Sequence, residues 1–283
     1  MLTVVRAAAD ALVQGPAINA EVATRWLEAF LRDELIERRG IHRAVIGLSG
    51  GVDSAVTAYL CARALGPENV HAIRMPYKTS SAASLADAQK VIDALGIRER
   101  TIDITGAVDG YLQFEPDADA RRRGNVMART RMVVLFDQSA KLDALPIGTG
   151  NKTERLLGYF TWHADDTPPV NPIGDLFKTQ VWALARFLGV PAALIEKAPS
   201  ADLEADQTDE GDLGITYARA DAILAQLLLG YSDEQLIERG FDAKDVTLVR
   251  RRVDSTHWKR HLPTTAMLSS TAINEFYLRP VDY

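Results

Sequence analysis

The sequence predicts an α/β fold, a doubly wound parallel sheet flanked by helices, with a small helical C-terminal extension. Three observations carry that expectation. Short apolar runs of strand length alternate with helix-period segments through the first two thirds of the chain. The first apolar run closes in a glycine-rich turn that opens into a helix. Beyond Tyr231 the pattern changes to short helices and connections, ending in a Pro-punctuated tail. A chain of 283 residues fits one domain: N-terminal helices over 1–40, a core over 41–230 and the extension over 231–283.

The elements follow in order. Asn19 is placed to cap a helix that buries Val22, Trp26, Leu27, Phe30 and Leu31 and stops at Gly40. Ala44 to Leu48 is a continuous apolar run, the mark of a strand covered on both faces. A helix over Ser54 to Leu65 ends at Gly66-Pro67, and a second strand covers Val70 to Met75. Leu85, Ala88, Ile92 and Leu95 fall at helical spacing ahead of Gly96. A third strand is expected over Arg100 to Ile104, a helix from about Asn125 and a fourth strand over Ala144 to Gly148. This β-α-β-α order calls for parallel strands with helices on both faces. Two polar stretches without periodicity, 113–124 and 203–211, read as surface loops or as covers over a site.

Bulk properties exclude several classes of function. A net charge of −6 argues against nucleic-acid binding, which needs a basic face against phosphates. No apolar run approaches the roughly 20 residues of a membrane span. The opening MLTVVRAAADALVQG lacks a basic segment followed by a long apolar one, so no signal peptide is expected. A single cysteine rules out an internal disulfide and fits a cytoplasmic location. That residue, Cys61, lies in an apolar helical segment and reads as a small core residue rather than a nucleophile.

The chemistry begins at Gly47-Leu48-Ser49-Gly50-Gly51-Val52-Asp53-Ser54, where the first strand meets its helix. Adjacent glycines allow a sharp turn that brings N–H groups against an anion at the positive end of a helix. Ser49 and Ser54 add hydroxyl donors. Asp53 is the odd member, because a carboxylate beside polyphosphate is repulsive unless a cation lies between them. It therefore predicts Mg²⁺. The GxxxxGK[ST] pattern is absent, so γ-phosphate chemistry of that type has no support.

This Ser-Gly-Gly-x-Asp-Ser turn resembles the pyrophosphate-holding loop of the ATP pyrophosphatase superfamily, whose members cleave ATP between its α and β phosphates. Further segments narrow the resemblance. They are Ile147 to Glu154, Gly158 to Thr161, Asn171 to Gln180, Pro199 to Leu203, and Gln207 to Glu210 followed by Leu213-Gly214. Together they resemble the NAD synthetase family from about residue 20 to residue 263, in the short ammonia-dependent form without a glutaminase domain.

The resemblance implies roles. Asp53 and Glu154 match the family's Mg²⁺ ligands, and Thr149, Lys178 and Ser200 match residues that contact ATP along with the glycine loop. Asp53 and Lys178 are the implied catalytic pair, the lysine neutralising charge on departing pyrophosphate. Arg129 matches a residue that binds deamido-NAD, and Trp162 and Lys259 occupy positions in the same dinucleotide site. The family forms a homodimer whose interface helps bind that substrate. The implied reaction joins ammonia to deamido-NAD through an adenylate, releasing AMP and pyrophosphate and yielding NAD.

The chain also departs from the family. Where the family often carries Lys-Tyr-Gly-Asp-Gly, this chain has Trp162 to Asp166, and Pro168-Pro169 stands where an acidic substrate contact is expected. The family's His-Lys-Arg reads Trp258-Lys259-Arg260. These changes touch the acceptor half of the site and leave the ATP half intact. Two rivals therefore stay open: an adenylating amide synthetase for another carboxylate, and a catalytically silent nucleotide-binding module. Intact Asp53, Glu154 and Lys178 argue against the second.

Overall fold

The structure, a computed structural model, describes residues 15–200, 208–261, 264–266 and 268. The reading of the N-terminus as lacking a signal peptide, the motif residues Ala201 to Leu203 and Gln207, and most of the tail lie outside the described residues.

Four strands, β1 (Ala44–Gly47), β2 (Val70–Arg74), β3 (Arg98–Thr101) and β4 (Leu145–Ile147), form one sheet in the order β3-β2-β1-β4. All neighbours are parallel, with Ala44 opposite both Val70 and Leu145. Eleven further α-helices follow α1 (Ala20–Arg32) among the described residues. They begin with α2 (Val52–Leu65), α3 (Ala82–Leu95), α4 (Thr105–Leu112) and α5 (Ala120–Leu142). Next come α6 (Lys152–Leu156), α7 (Lys178–Leu188), α8 (Ala192–Glu196) and α9 (Asp209–Leu213). The last are α10 (Tyr217–Leu228), α11 (Asp233–Glu238) and, before a 3-10 turn at His257–Arg260, α12 (Ala243–Thr256).

Strand periodicity divides the core into two faces. Ala44 and Ile46 of β1 and Val70 and Ala72 of β2 pack with α1, α2, α3 and α7. Val45 and Ile73 point the other way, onto Leu135 of α5. Helices therefore cover both faces, as expected. The chain runs outward through β2 and β3, then returns to place β4 on the other side of β1. The strand order reverses between β1 and β4, and in open parallel sheets the crevice at that point is where ligands bind.

Several details differ from the sequence reading. Asn19 caps α1 as expected, its side chain accepting the Val22 N–H at 3.0 Å, and the chain turns at Gly40 with φ +65°. Only Leu31 of the proposed apolar set is fully buried; Trp26 stays 73% exposed, with Val22 and Phe30 also open. Helical spacing identified an apolar face, but part of that stripe stays open among the described residues. The third strand begins at Arg98 rather than Arg100, and Ile102 and Ile104 continue its hydrogen bonding to Arg74 and Pro76. All four β3 residues are exposed at the sheet edge, so burial left no apolar signal there. The proposed loop over 113–124 is helical from Ala120, where Asp119 caps α5 by accepting the Arg122 N–H. Arg121 to Arg123 concealed that first turn because it faces solvent.

The C-terminal extension shares a core with the site-bearing elements. Leu236 of α11 and Val246 and Val249 of α12 pack with Tyr217 and Ile223 of α10 and with Leu157 and Phe177. Cys61 is buried in the main core, where burial pushes its thiol pKa well up, as suits a packing residue.

Candidate active site

The glycine turn leaves the end of β1 at the switch point. Ser54 accepts the Ser49 N–H at 3.3 Å and donates to the Gly51 carbonyl at 3.0 Å, which closes the loop on the first turn of α2. Gly50 has φ +83°, and a Cβ there would sit 2.1 Å from the Ser84 carbonyl oxygen of α3. Only glycine meets both conditions. Gly50 thus serves the loop's packing and does not face the cavity; Gly47, Leu48, Ser49, Gly51, Val52 and Ser54 do.

Opposite that loop, β4 ends in Gly148-Thr149-Gly150. Asn171 donates to the Gly150 carbonyl at 2.7 Å, and its side chain lies against Gly148 too closely for a Cβ there. The cavity between the two loops has a volume of about 410 Å³. Thr149 and Ser200 line it, and Lys197 ties the segment before Ser200 to α3 through Ser84 and Asp87. Ile73 and Met75 give it an apolar wall suited to a planar base.

Asp53, Glu154 and Lys178, distant in sequence, meet at its floor. The Lys178 Nζ donates to Asp53 Oδ2 at 2.5 Å and to Glu154 Oε1 at 3.1 Å. Asn151 fastens the two acids together. Its side chain donates to Asp53 Oδ1 at 3.0 Å while accepting the Glu154 N–H, and Glu154 returns the capping-box bond. Lys178 is 2% exposed. Burial alone would lower its pKa, but Asp53 and Glu154 more than offset that and hold it charged. Burial pushes Glu154 up to about 7 against the opposing pull of Lys178, and the charges of Asp53 and Asp209 add to the rise.

Sequence reasoning missed the surroundings of this cluster. Asp209 is buried and accepts hydroxyl bonds from Tyr217 at 3.0 Å and Tyr159 at 3.2 Å. The Lys178 Nζ stands 4.9 Å from the centre of the Tyr217 ring. Asp165 also lines the cavity, and its side chain accepts the Thr161 N–H at 2.8 Å. Asp209 lies in a segment the resemblance singles out, but the local pattern gives it no role, because that role arises from distant partners.

The donor set fits a hard divalent cation. Two carboxylates, Asp53 and Glu154, share one ammonium with a third, Asp209, nearby, and the raised Glu154 registers the negative excess. Among the described residues no group of three or more such side chains is arranged to hold a metal alone. Mg²⁺ commonly binds through one or two carboxylates and takes its other ligands from phosphate and water.

The residues matched to the dinucleotide gather beside the cavity rather than on its walls. Arg129 of α5 donates to the Trp162 carbonyl at 2.9 Å. The Trp162 and Trp258 rings meet edge to face at 5.1 Å, and the Trp162 indole N–H is buried without a partner among the described residues. His163 beside it has φ +57°, a conformation costly for a side-chain-bearing residue. Lys259 points inward, its Nζ donating to the carbonyls of Gly158 at 2.7 Å and Phe160 at 2.5 Å. In this arrangement Lys259 holds the segment that carries Tyr159 to Trp162.

Comparison with known proteins bears on the same residues. The sequence profile of the family described as NAD synthase matches residues 23–263. The chain is 49% identical over 267 residues to an NH(3)-dependent NAD(+) synthetase of Trichlorobacter lovleyi, covering 94% of this chain and 97% of that one. It is 50% identical over 242 residues to the protein of that name from Chlorobaculum parvum, covering 85% and 87%. Among solved structures, an NH3-dependent NAD synthetase from Campylobacter jejuni superposes with a TM-score of 0.76 at 32% identity, covering 89% and 100%. An NMN synthetase from Francisella tularensis does so with a TM-score of 0.79 at 31% identity, covering 88% and 99%.

Proposed function

The chain belongs to the NAD synthase family, and from that membership together with its site we propose that it forms NAD from deamido-NAD, ammonia and ATP. It is a carbon–nitrogen ligase that works through an adenylate. The observation that carries the reading is the buried Asp53–Lys178–Glu154 cluster at the mouth of a glycine loop.

In this reading ATP lies between the two loops, its base against Ile73 and Met75 and its phosphates over Ser49, Gly51 and Ser54. Asp53 and Glu154 would hold Mg²⁺, which supplies charge neutralisation across the phosphates. The nicotinate carboxylate attacks the α-phosphorus. Lys178, already dehydrated and charged, stabilises the leaving pyrophosphate where a solvated lysine would first have to shed water. Ammonia then displaces AMP from the adenylate. Thr149 and Ser200 would contact the nucleotide, and Arg129, Trp162 and Lys259 would build or brace the acceptor side.

We further propose a homodimer. Arg129, Val133 and Phe136 fall at helical spacing on α5, where Val133 is 70% exposed, and Phe114 beyond α4 is 75% exposed. A second copy over this face would cover the apolar stripe and close the acceptor site beside Arg129. A cytoplasmic location is part of the same reading, supported by a lone cysteine in the core. No helix among the described residues is long and apolar enough to cross a membrane.

Product analysis by mass tests the proposal. Purified protein with ATP, Mg²⁺, ammonium and deamido-NAD is expected to yield NAD, AMP and pyrophosphate. A parallel reaction offers the deamidated mononucleotide, because one structural neighbour is an NMN synthetase. AMP formed only with the mononucleotide, or with neither acid, overturns the reading.

A further inference from the structure

Glu154 and Lys178 come from different helices, and a side chain that touches neither joins those helices. Asp221 of α10 is fully buried. Its Oδ1 accepts the Thr153 hydroxyl at 2.5 Å, and its Oδ2 accepts the backbone N–H of Thr179 at 2.8 Å. The Thr153 hydroxyl oxygen in turn accepts the backbone N–H of Lys178 at 2.9 Å. Thr153 directly precedes Glu154, and Thr179 directly follows Lys178. One carboxylate thus closes a ring through the first turn of α6 and the first turn of α7.

The local sequence shows why α7 needs this outside partner. The residue before it is Phe177, whose side chain has no oxygen to accept the unpaired N–H groups of the first turn. Asp221 and Thr153 accept two of them, and a carboxylate is favoured at the positive end of a helix. One turn earlier on α10, Tyr217 lays its ring beside the Lys178 ammonium and anchors its hydroxyl on Asp209. A single face of α10 therefore meets the Lys178 side chain directly and its backbone through Thr153 and the adjoining Thr179 N–H.

We propose that Asp221 is a positioning residue for the reaction, acting through Thr153 and the start of α7 to set the spacing between Glu154 and Lys178. This rests on the function proposed above, in which that spacing decides how well charge on pyrophosphate is met. Small displacements of such groups are expensive in rate: about 1 Å costs roughly 100-fold.

The test uses Thr153→Val, which keeps the side-chain shape and removes the bridging hydroxyl, with Thr153→Ser as the conservative rescue and Asp221→Asn beside them. Steady-state rates are measured with wild-type and variant full-length protein, corrected for folded fraction by circular dichroism and thermal melting. Thr153→Val is expected to lose about tenfold or more in kcat with KM for ATP within about threefold, and Thr153→Ser to recover most of it. A folded Thr153→Val turning over at the wild-type rate overturns the proposal. So does loss of activity only in proportion to loss of folded protein, in Thr153→Val and Asp221→Asn alike, since the junction is then structural. Wild type that forms no NAD defeats the proposed function; wild type that forms NAD beside an unimpaired Thr153→Val defeats this inference alone.

Discussion

The Lys178 ammonium lies 2.5 Å from Asp53 Oδ2 and 3.1 Å from Glu154 Oε1, beside the turn that in the proposed function holds the phosphates. A positive charge thus already sits in the floor of the cavity, and in the proposed function it meets the leaving group.

Replacing Lys178 by Met removes that charge and leaves Asp53 and Glu154 facing each other in a buried place. Removing one partner of a buried pair costs about 3–5 kcal/mol. Lys178→Met should melt earlier than wild type in the absence of divalent ions and gain more from added Mg²⁺. Its kcat should fall by about 100-fold or more. Calorimetric melts with and without Mg²⁺, beside steady-state rates, check both parts.

Glu154 sets a pH dependence. Its pKa in the folded chain, about 7, lies above the ordinary carboxylate value of 4.5. The folded, ligand-free protein therefore binds more protons than the unfolded chain between those values, and its stability should fall as pH rises through that window. Cation binding requires the ionised carboxylate, so Mg·ATP should displace a proton at pH 6.5 and almost none at pH 8.5. Titration calorimetry in two buffers of different ionisation enthalpy measures the release.

Gly50 and Gly51 should respond differently to alanine. At Gly50 the new Cβ meets the Ser84 carbonyl at 2.1 Å in a backbone with φ +83°, so the loop must move off α3. Gly50→Ala should lose ATP-dependent turnover and about 1–3 kcal/mol of stability. Gly51→Ala meets only the Ser49 hydroxyl, at 3.3 Å, and should keep the wild-type melting temperature. Denaturant titration of the pair separates the two cases.

The aromatic pair should report on the acceptor and not on ATP. Trp162 and Trp258 pack together outside the ATP cavity, next to the carbonyl that Arg129 holds. Trp258→Ala should raise KM for deamido-NAD several-fold while KM for ATP stays unchanged. Parallel titrations of both substrates, followed by rate, settle it; equal effects on the two constants sink the assignment.

Much of this was legible in the amino-acid order because the signals are local. Asn19, Gly66 and Gly96 mark helix ends through their own backbone and side-chain preferences. The Ser49 to Ser54 turn is a contiguous run in which Gly50 has no substitute, and the resemblance it carries extended to Asp53, Glu154 and Lys178. Where burial was not involved, the boundaries shifted: β3 lies exposed at an edge and begins two residues early, and the first turn of α5 faces water, so neither left an apolar pattern.

The sequence by itself determined the α/β class, the glycine turn at the end of β1 and the identity of the charged groups, because each depends on neighbours within a few residues. Only the tertiary structure decided which groups became buried together. Asp209, Tyr217 and Asp221 gain their roles from Lys178 and Thr153, dozens of residues away, and Lys259 turned inward to brace a loop. The physical reason is that desolvation and long-range hydrogen bonding act through space. A carboxylate's chemistry is set by what surrounds it after folding, and that surrounding is written in no local pattern.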